Sequence, residues 1–137
     1  QADTVFFASS WTEWEVQLIA KSHASLIDKF GQKFYFFGNK HLDFAPTKFI
    51  REKGHAKFPE MVKSRLDKNQ LNAEIKRTIG DYFINFYDLF CVDNECKLMN
   101  DERHLLLYDG FHLSEEGAKF FSIKLETFFQ SLSKTVK

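Results

Sequence analysis

"DTVFFASSWTEWEVQLIAKSHASLIDKFGQKFYFFGN", residues 3–39, decides the fold. It opens with "DTVFFASS" (3–10), a short and nearly continuous apolar run ending in small residues, as a buried strand does. Thr12 followed three residues later by Glu15 then spells a capping box. Val16, Ile19, Ile27 and Phe30 fall on one helical face, and Gly31 is placed to end that helix in a left-handed conformation. "KFYFFGN" (33–39) is a second buried strand. Strand, helix and strand in this order provide a crossover long enough for a parallel pair.

Further along, residues 40–57 show no sustained period and are expected to form a long surface loop, the kind of segment that often borders a site in α/β domains. "FPEMVKSRLDKNQLNAEIKRTIG" (58–80) is expected to be helical from Pro59 onward, as one helix or two. "DYFINFYDLF" (81–90) is the expected third strand, and 97–108 a small excursion or hairpin. Ser114 caps a last helix, with Glu115 and Glu116 near its positive end and Phe121, Leu125, Phe128 and Leu132 as its inward stripe. Alternating strands and helices make the class α/β, with a parallel sheet covered on both faces.

At 137 residues the chain is one domain at most, long enough to bury a core to which its 17 phenylalanines contribute. Lys+Arg and Asp+Glu both number 19, so the formal net charge is zero and no basic footprint points to a nucleic-acid partner. No apolar run approaches the roughly 20 residues that span a bilayer. No signal peptide is visible, and the abrupt start in strand-like sequence suggests an excised piece whose upstream part is absent. Neither G-x-G-x-x-G nor a P-loop lysine occurs, and no cofactor is expected. Cys91 and Cys96 flank the turn-like V-D-N-E; they are either two free thiols or a small disulfide-closed loop, which would imply an oxidising compartment. Two cysteines without a second pair make a poor zinc site.

"LLLYDGFHLSEEGAKFF" (105–121) carries the chemistry. Asp109 and His112, three residues apart on a turn after an extended run, can lie side by side. The carboxylate then holds one imidazole nitrogen, and the other is left to take a proton from a hydroxyl. Gly110 lets such a turn close. The plainer alternative is an ordinary Asp-Gly turn with His112 bonded to a neighbouring carbonyl. Adding His104 gives H-x4-D-x2-H, which lacks a regular metal-ligand spacing, so no metal is expected.

The same stretch closely resembles the final block of the SGNH/GDSL hydrolase superfamily, where D-x-x-H precedes a helix that starts on small residues. More narrowly, the chain resembles the extracytoplasmic SGNH domain fused behind the membrane domain of type-3 acyltransferases, which pass acyl groups, usually acetyl, to cell-surface polysaccharides. The matching elements are "FINFYDLFC" (83–91), Cys96, "LLLYDGFHLS" (105–114) and "EEGA" (115–118). "DTVFFASSW" (3–11) is similar to that group's strand ending in a tryptophan, where other members carry G-x-N-D.

The resemblance implies a three-layer α/β/α, flavodoxin-like fold with strand order 2-1-3-4-5. Residues 1–137 would be the C-terminal part of one such domain, with about three strands. It implies that His112 is the general base, Asp109 its orienting acid and Cys91–Cys96 a disulfide. It also implies an O-acyltransferase with an acyl donor and a carbohydrate acceptor, on the periplasmic or other extracytoplasmic face. There it would be tethered to the inner membrane through a membrane acyltransferase domain of the same parent chain. The superfamily's nucleophilic serine lies in a G-D-S block, which is absent here and should precede residue 1. Ser9 and Ser10 end the third family strand and are expected to line the site at most, with sheet-edge packing as the plainer role. Asn39 can donate a hydrogen bond near an oxyanion or simply serve a turn, and Trp11 can line an acyl or sugar surface or pack inside. A carbohydrate esterase would use the same residues. A non-catalytic carbohydrate-binding domain would instead use Trp11, Trp14 and the 40–57 segment, and a fortuitous D-x-x-H in an inert fragment is the third alternative. Without the strand that should flank residues 4–8, the isolated chain is expected to self-associate.

Overall fold

The structure is a computed structural model and describes residues 3–134, save the side chains of residue 55 and of residues 131–134. In chain order its elements are β1 (Thr4–Ala8), α1 (Glu13–Phe30), β2 (Lys33–Phe37), α2 (Pro46–Lys53), β3 (Met61–Lys63), α3 (Leu66–Ile79), β4 (Phe83–Ile84), β5 (Cys91–Val92), β6 (Glu95–Lys97) and α4 (Glu115–Lys134). They form two compact units, Gln1–His41 with Ser64–Asp88, and Leu42–Lys63 with Leu89–Lys137. Among the described residues no helix is long and apolar enough to cross a membrane.

The first unit is built on a parallel sheet of order β1-β2-β4, with Val5 paired to Phe34, Phe7 to Phe36, and Phe36 to Phe83. Glu15 takes hydrogen bonds from the Thr12 amide (2.8 Å) and hydroxyl (2.6 Å), which starts α1. Gly31, at φ 65°, stops it by donating to Ile27. Val16 and Ile19 of α1 meet Phe34 and Phe36 of β2, Phe83 of β4 and Ile75 and Ile79 of α3 in one buried cluster. Each such side chain contributes about 1.5–3 kcal/mol by leaving water. Phe30, the last residue of α1, departs from the expected burial: it is 48% exposed, with its ring at the margin of the cluster, 6.4 Å from that of Phe34.

The second unit holds an antiparallel sheet of order β3-β6-β5. Asp93 (φ 50°) and Asn94 (φ 66°) close the β5–β6 hairpin, as turn residues that tolerate left-handed backbone. Cys91 and Cys96 face each other across it and are joined as a disulfide. On α4, Phe121 is buried with its ring edge-on to Phe90, and Leu125 and Phe128 are half-buried. Leu132, the last residue of the expected stripe, lies outside the described side chains.

Three expected boundaries change. Residues 40–57 are not all loop: α2 starts on Pro46 and ends before Gly54, too short to show a period. The segment 58–80 is helical only from Leu66, because Met61–Lys63 pairs with β6 instead. The third strand is only Phe83–Ile84; after it Asn85 bonds Asp88 (2.6 Å), and Phe86–Leu89 turns as a 3-10 helix.

Candidate active site

In the second unit, Asp109 and His112 sit on a turn that is tied down on several sides. Leu106 donates to Leu98 (2.8 Å), and Leu107 pairs with Leu113 in an antiparallel bridge. The Tyr108 amide donates to the His112 carbonyl (3.1 Å). Beneath the turn, Leu42 donates to the Gly110 carbonyl (2.8 Å) and Thr47 to the Tyr108 carbonyl (3.0 Å). Behind it Ser114 caps α4, its hydroxyl accepting from Gly117 (2.8 Å) and contacting the Leu105 carbonyl. Gly117 packs so closely on the Leu106 carbonyl that a Cβ there would collide with it.

Both oxygens of the Asp109 carboxylate are engaged. One oxygen accepts the Phe111 (3.2 Å) and His112 (2.8 Å) amides, and the other lies 2.7 Å from His112 Nδ1. Burial pushes this carboxyl up, but the His112 ring bond and the two amide bonds outweigh it and hold it below the usual carboxylate range. It is therefore ionised at neutral pH. With Nδ1–H donated to Asp109, the neutral ring carries its lone pair on Nε2, which has no hydrogen-bond partner among the described residues. The imidazole is 56% exposed at its side chain and is flanked by Tyr108 (14° between planes) and Phe111 (4.0 Å between ring centres). His104 is not part of this arrangement; its ring lies 3.6 Å from Glu102.

The other predicted residues lie in the first unit, at the carboxyl end of its sheet. Ser9 and Ser10 are exposed just after β1. Trp11 donates its indole N–H to the Phe37 carbonyl (2.6 Å) and packs on Phe36. Asn39 is 2% exposed; its backbone N–H donates to Asn72 (2.7 Å), its Nδ2 donates to the Trp11 carbonyl (3.3 Å), and its Oδ1 has no partner among the described residues. Sequence reasoning singled out neither Asn72 nor His41, whose Nε2 lies 3.0 Å from Ser10 Oγ. A lone histidine in an aperiodic stretch carries no mark of the serine it will meet.

The family described as SGNH domain (fused to AT3 domains) matches residues 1–126. The chain belongs to that family. No curated protein matches it. Among solved structures this SGNH domain is similar to the periplasmic domain of the lipopolysaccharide acetyltransferase of Salmonella ser. Paratyphi A, with a TM-score of 0.70 at 13% identity. That match covers 93% of this chain and 56% of the other, so the chain spans little more than half the length of that structure. At this identity the likeness is one of fold, and it supports the α/β class read from the sequence.

Chemically, the SGNH domain's turn presents an imidazole fixed in one tautomer by an ionised acid, with its second nitrogen open. Such a group can take a proton from an alcohol or water and return it to a leaving group. No G-D-S block stands among these residues.

Proposed function

We propose that the complete protein is an O-acyltransferase of the serine-hydrolase type, moving an acyl group, acetyl above all, onto a cell-surface polysaccharide. A serine upstream of this chain attacks the donor's carbonyl carbon. His112 takes the serine proton at Nε2 and passes it to the leaving group, and an acyl-serine remains. A sugar hydroxyl then attacks that ester, His112 takes its proton, and the serine oxygen leaves with it. Asp109 holds the ring throughout and stabilises the imidazolium formed in each half. The observation that carries this reading is the 2.7 Å Asp109–His112 bond on an exposed ring whose Nε2 has no partner among the described residues. The family's fusion to AT3 domains supports a membrane acyltransferase domain in the same parent chain and an extracytoplasmic location. The Cys91–Cys96 disulfide fits an oxidising compartment. The test is His112→Ala in the complete protein: it abolishes acyl transfer and leaves the amount of protein unchanged. Retained transfer refutes the reading.

A further inference from the structure

The Ser10–His41 pair is not used by the reaction above. Because β1 and β2 run parallel, the residues that follow them, Ser9–Trp11 and Gly38–His41, emerge at one edge of the sheet. In open α/β sheets that carboxyl edge is where ligands collect. Ser10 is exposed there, and its Oγ lies 3.0 Å from Nε2 of the half-buried His41. Both sides of the pair are pinned. The His41 carbonyl accepts from the Tyr87 hydroxyl (2.6 Å) and the Arg65 amide (3.1 Å). Next to Ser10, the Trp11 carbonyl accepts from Lys68 Nζ (3.3 Å) and Asn39 Nδ2 (3.3 Å). Burial lowers the affinity of His41 for a proton, as do the positive charges of Lys68, Lys40 and Arg65, against a smaller opposing effect of Asp67. In the tautomer that carries its hydrogen on Nδ1, a neutral ring with Nε2 facing a hydroxyl is able to accept that hydroxyl's proton, and the surrounding cations favour a developing alkoxide.

We propose that Ser10 is a second acyl-accepting hydroxyl of this protein, with His41 as its base and a short-chain acyl ester as its substrate. Ser10 Oγ attacks the ester carbonyl carbon while its proton moves to His41 Nε2. The bond to the leaving alcohol breaks, and His41 returns the proton to that alcohol. Ser10 is left as an O-acyl ester, which water discharges by the same route, so the pair hydrolyses the ester and adds no transfer to a sugar. The choice of an acyl ester rests on the function proposed above; the pair itself is independent of Asp109 and His112.

The test uses the complete protein in its membrane, a fluorophosphonate probe, and mass-spectrometric mapping of the modified serine. Ser10 carries the probe in wild type and loses it in Ser10→Ala. In His41→Ala labelling of Ser10 slows by about 10²-fold, and added imidazole restores it. His41→Ala keeps the backbone carbonyl that Tyr87 and Arg65 use, so the local fold is retained. In His112→Ala, Ser10 labels at the wild-type rate. An unlabelled Ser10 in wild type, or one that labels equally fast in His41→Ala, overturns the proposal. Acyl transfer that survives His112→Ala removes the upstream-serine reading alone, so the two failures are told apart.

Discussion

At Gly110 the backbone runs at φ 95°, and a Cβ would stand against the Phe44 carbonyl. Both facts exclude other residues: the left-handed region disfavours a side chain, and the obstacle is backbone, which cannot swing aside. The turn therefore depends on this glycine to place a carboxylate and an imidazole 2.7 Å apart. Gly110→Ala is expected to cost about 2 kcal/mol in denaturant unfolding and to reduce acyl transfer as well. An unchanged midpoint would show that the turn has slack. Asp109, Gly110, His112 and Ser114 are all legible in the sequence, because turn and cap chemistry needs particular residue types at fixed offsets. Leu42 and Thr47 are not. They hold the turn through backbone amides, which every residue but proline possesses.

Among elements, α1 is legible almost to the residue from Thr12, Glu15 and Gly31, since caps and a long amphipathic period are local signals. The 81–90 segment misled because "YFINFY" is strand-like in composition, while Asn85 offers its backbone a local turn in place of a ladder. Likewise "MVK" pairs with a hairpin more than 30 residues away, which no window of sequence reveals. His23 of α1 gives the helix docking a pH dependence. It is 8% exposed, with its ring against Phe36 and Tyr82 and its Nε2 without a partner among the described residues. Burial holds its pKa below the ordinary imidazole value, and a bond with the Phe34 backbone opposes this only in part. The unfolded chain therefore binds a proton at a higher pH than the folded one. The stability that neutral His23 allows is present above about pH 6.5 and is lost as pH falls through the lowered folded value. Thermal melts from about pH 7.5 down to about pH 5 are expected to fall further for wild type than for His23→Phe; equal losses would remove His23 from the account.

For the molecule as a whole, the sheet order β1-β2-β4 leaves β1 at an edge, with backbone groups of Thr4–Ala8 unpaired on one side among the described residues. Phe6 on that strand is 43% exposed. Such an edge is a template for another strand, so residues 1–137 by themselves are expected to associate in light scattering, and a clean monomer would contradict this. Zero net charge adds no repulsion to prevent it. The function proposed for the complete protein turns on what Asp109 and His112 do together. The most direct measurement is the rate of acyl transfer by the complete protein carrying Asp109→Asn, His112→Ala, or both. If the acid acts only through the ring it holds, His112→Ala alone loses about as much as the double variant, and Asp109→Asn alone loses on the order of 10⁴-fold. Transfer that persists in His112→Ala, or losses that simply multiply, would contradict the account.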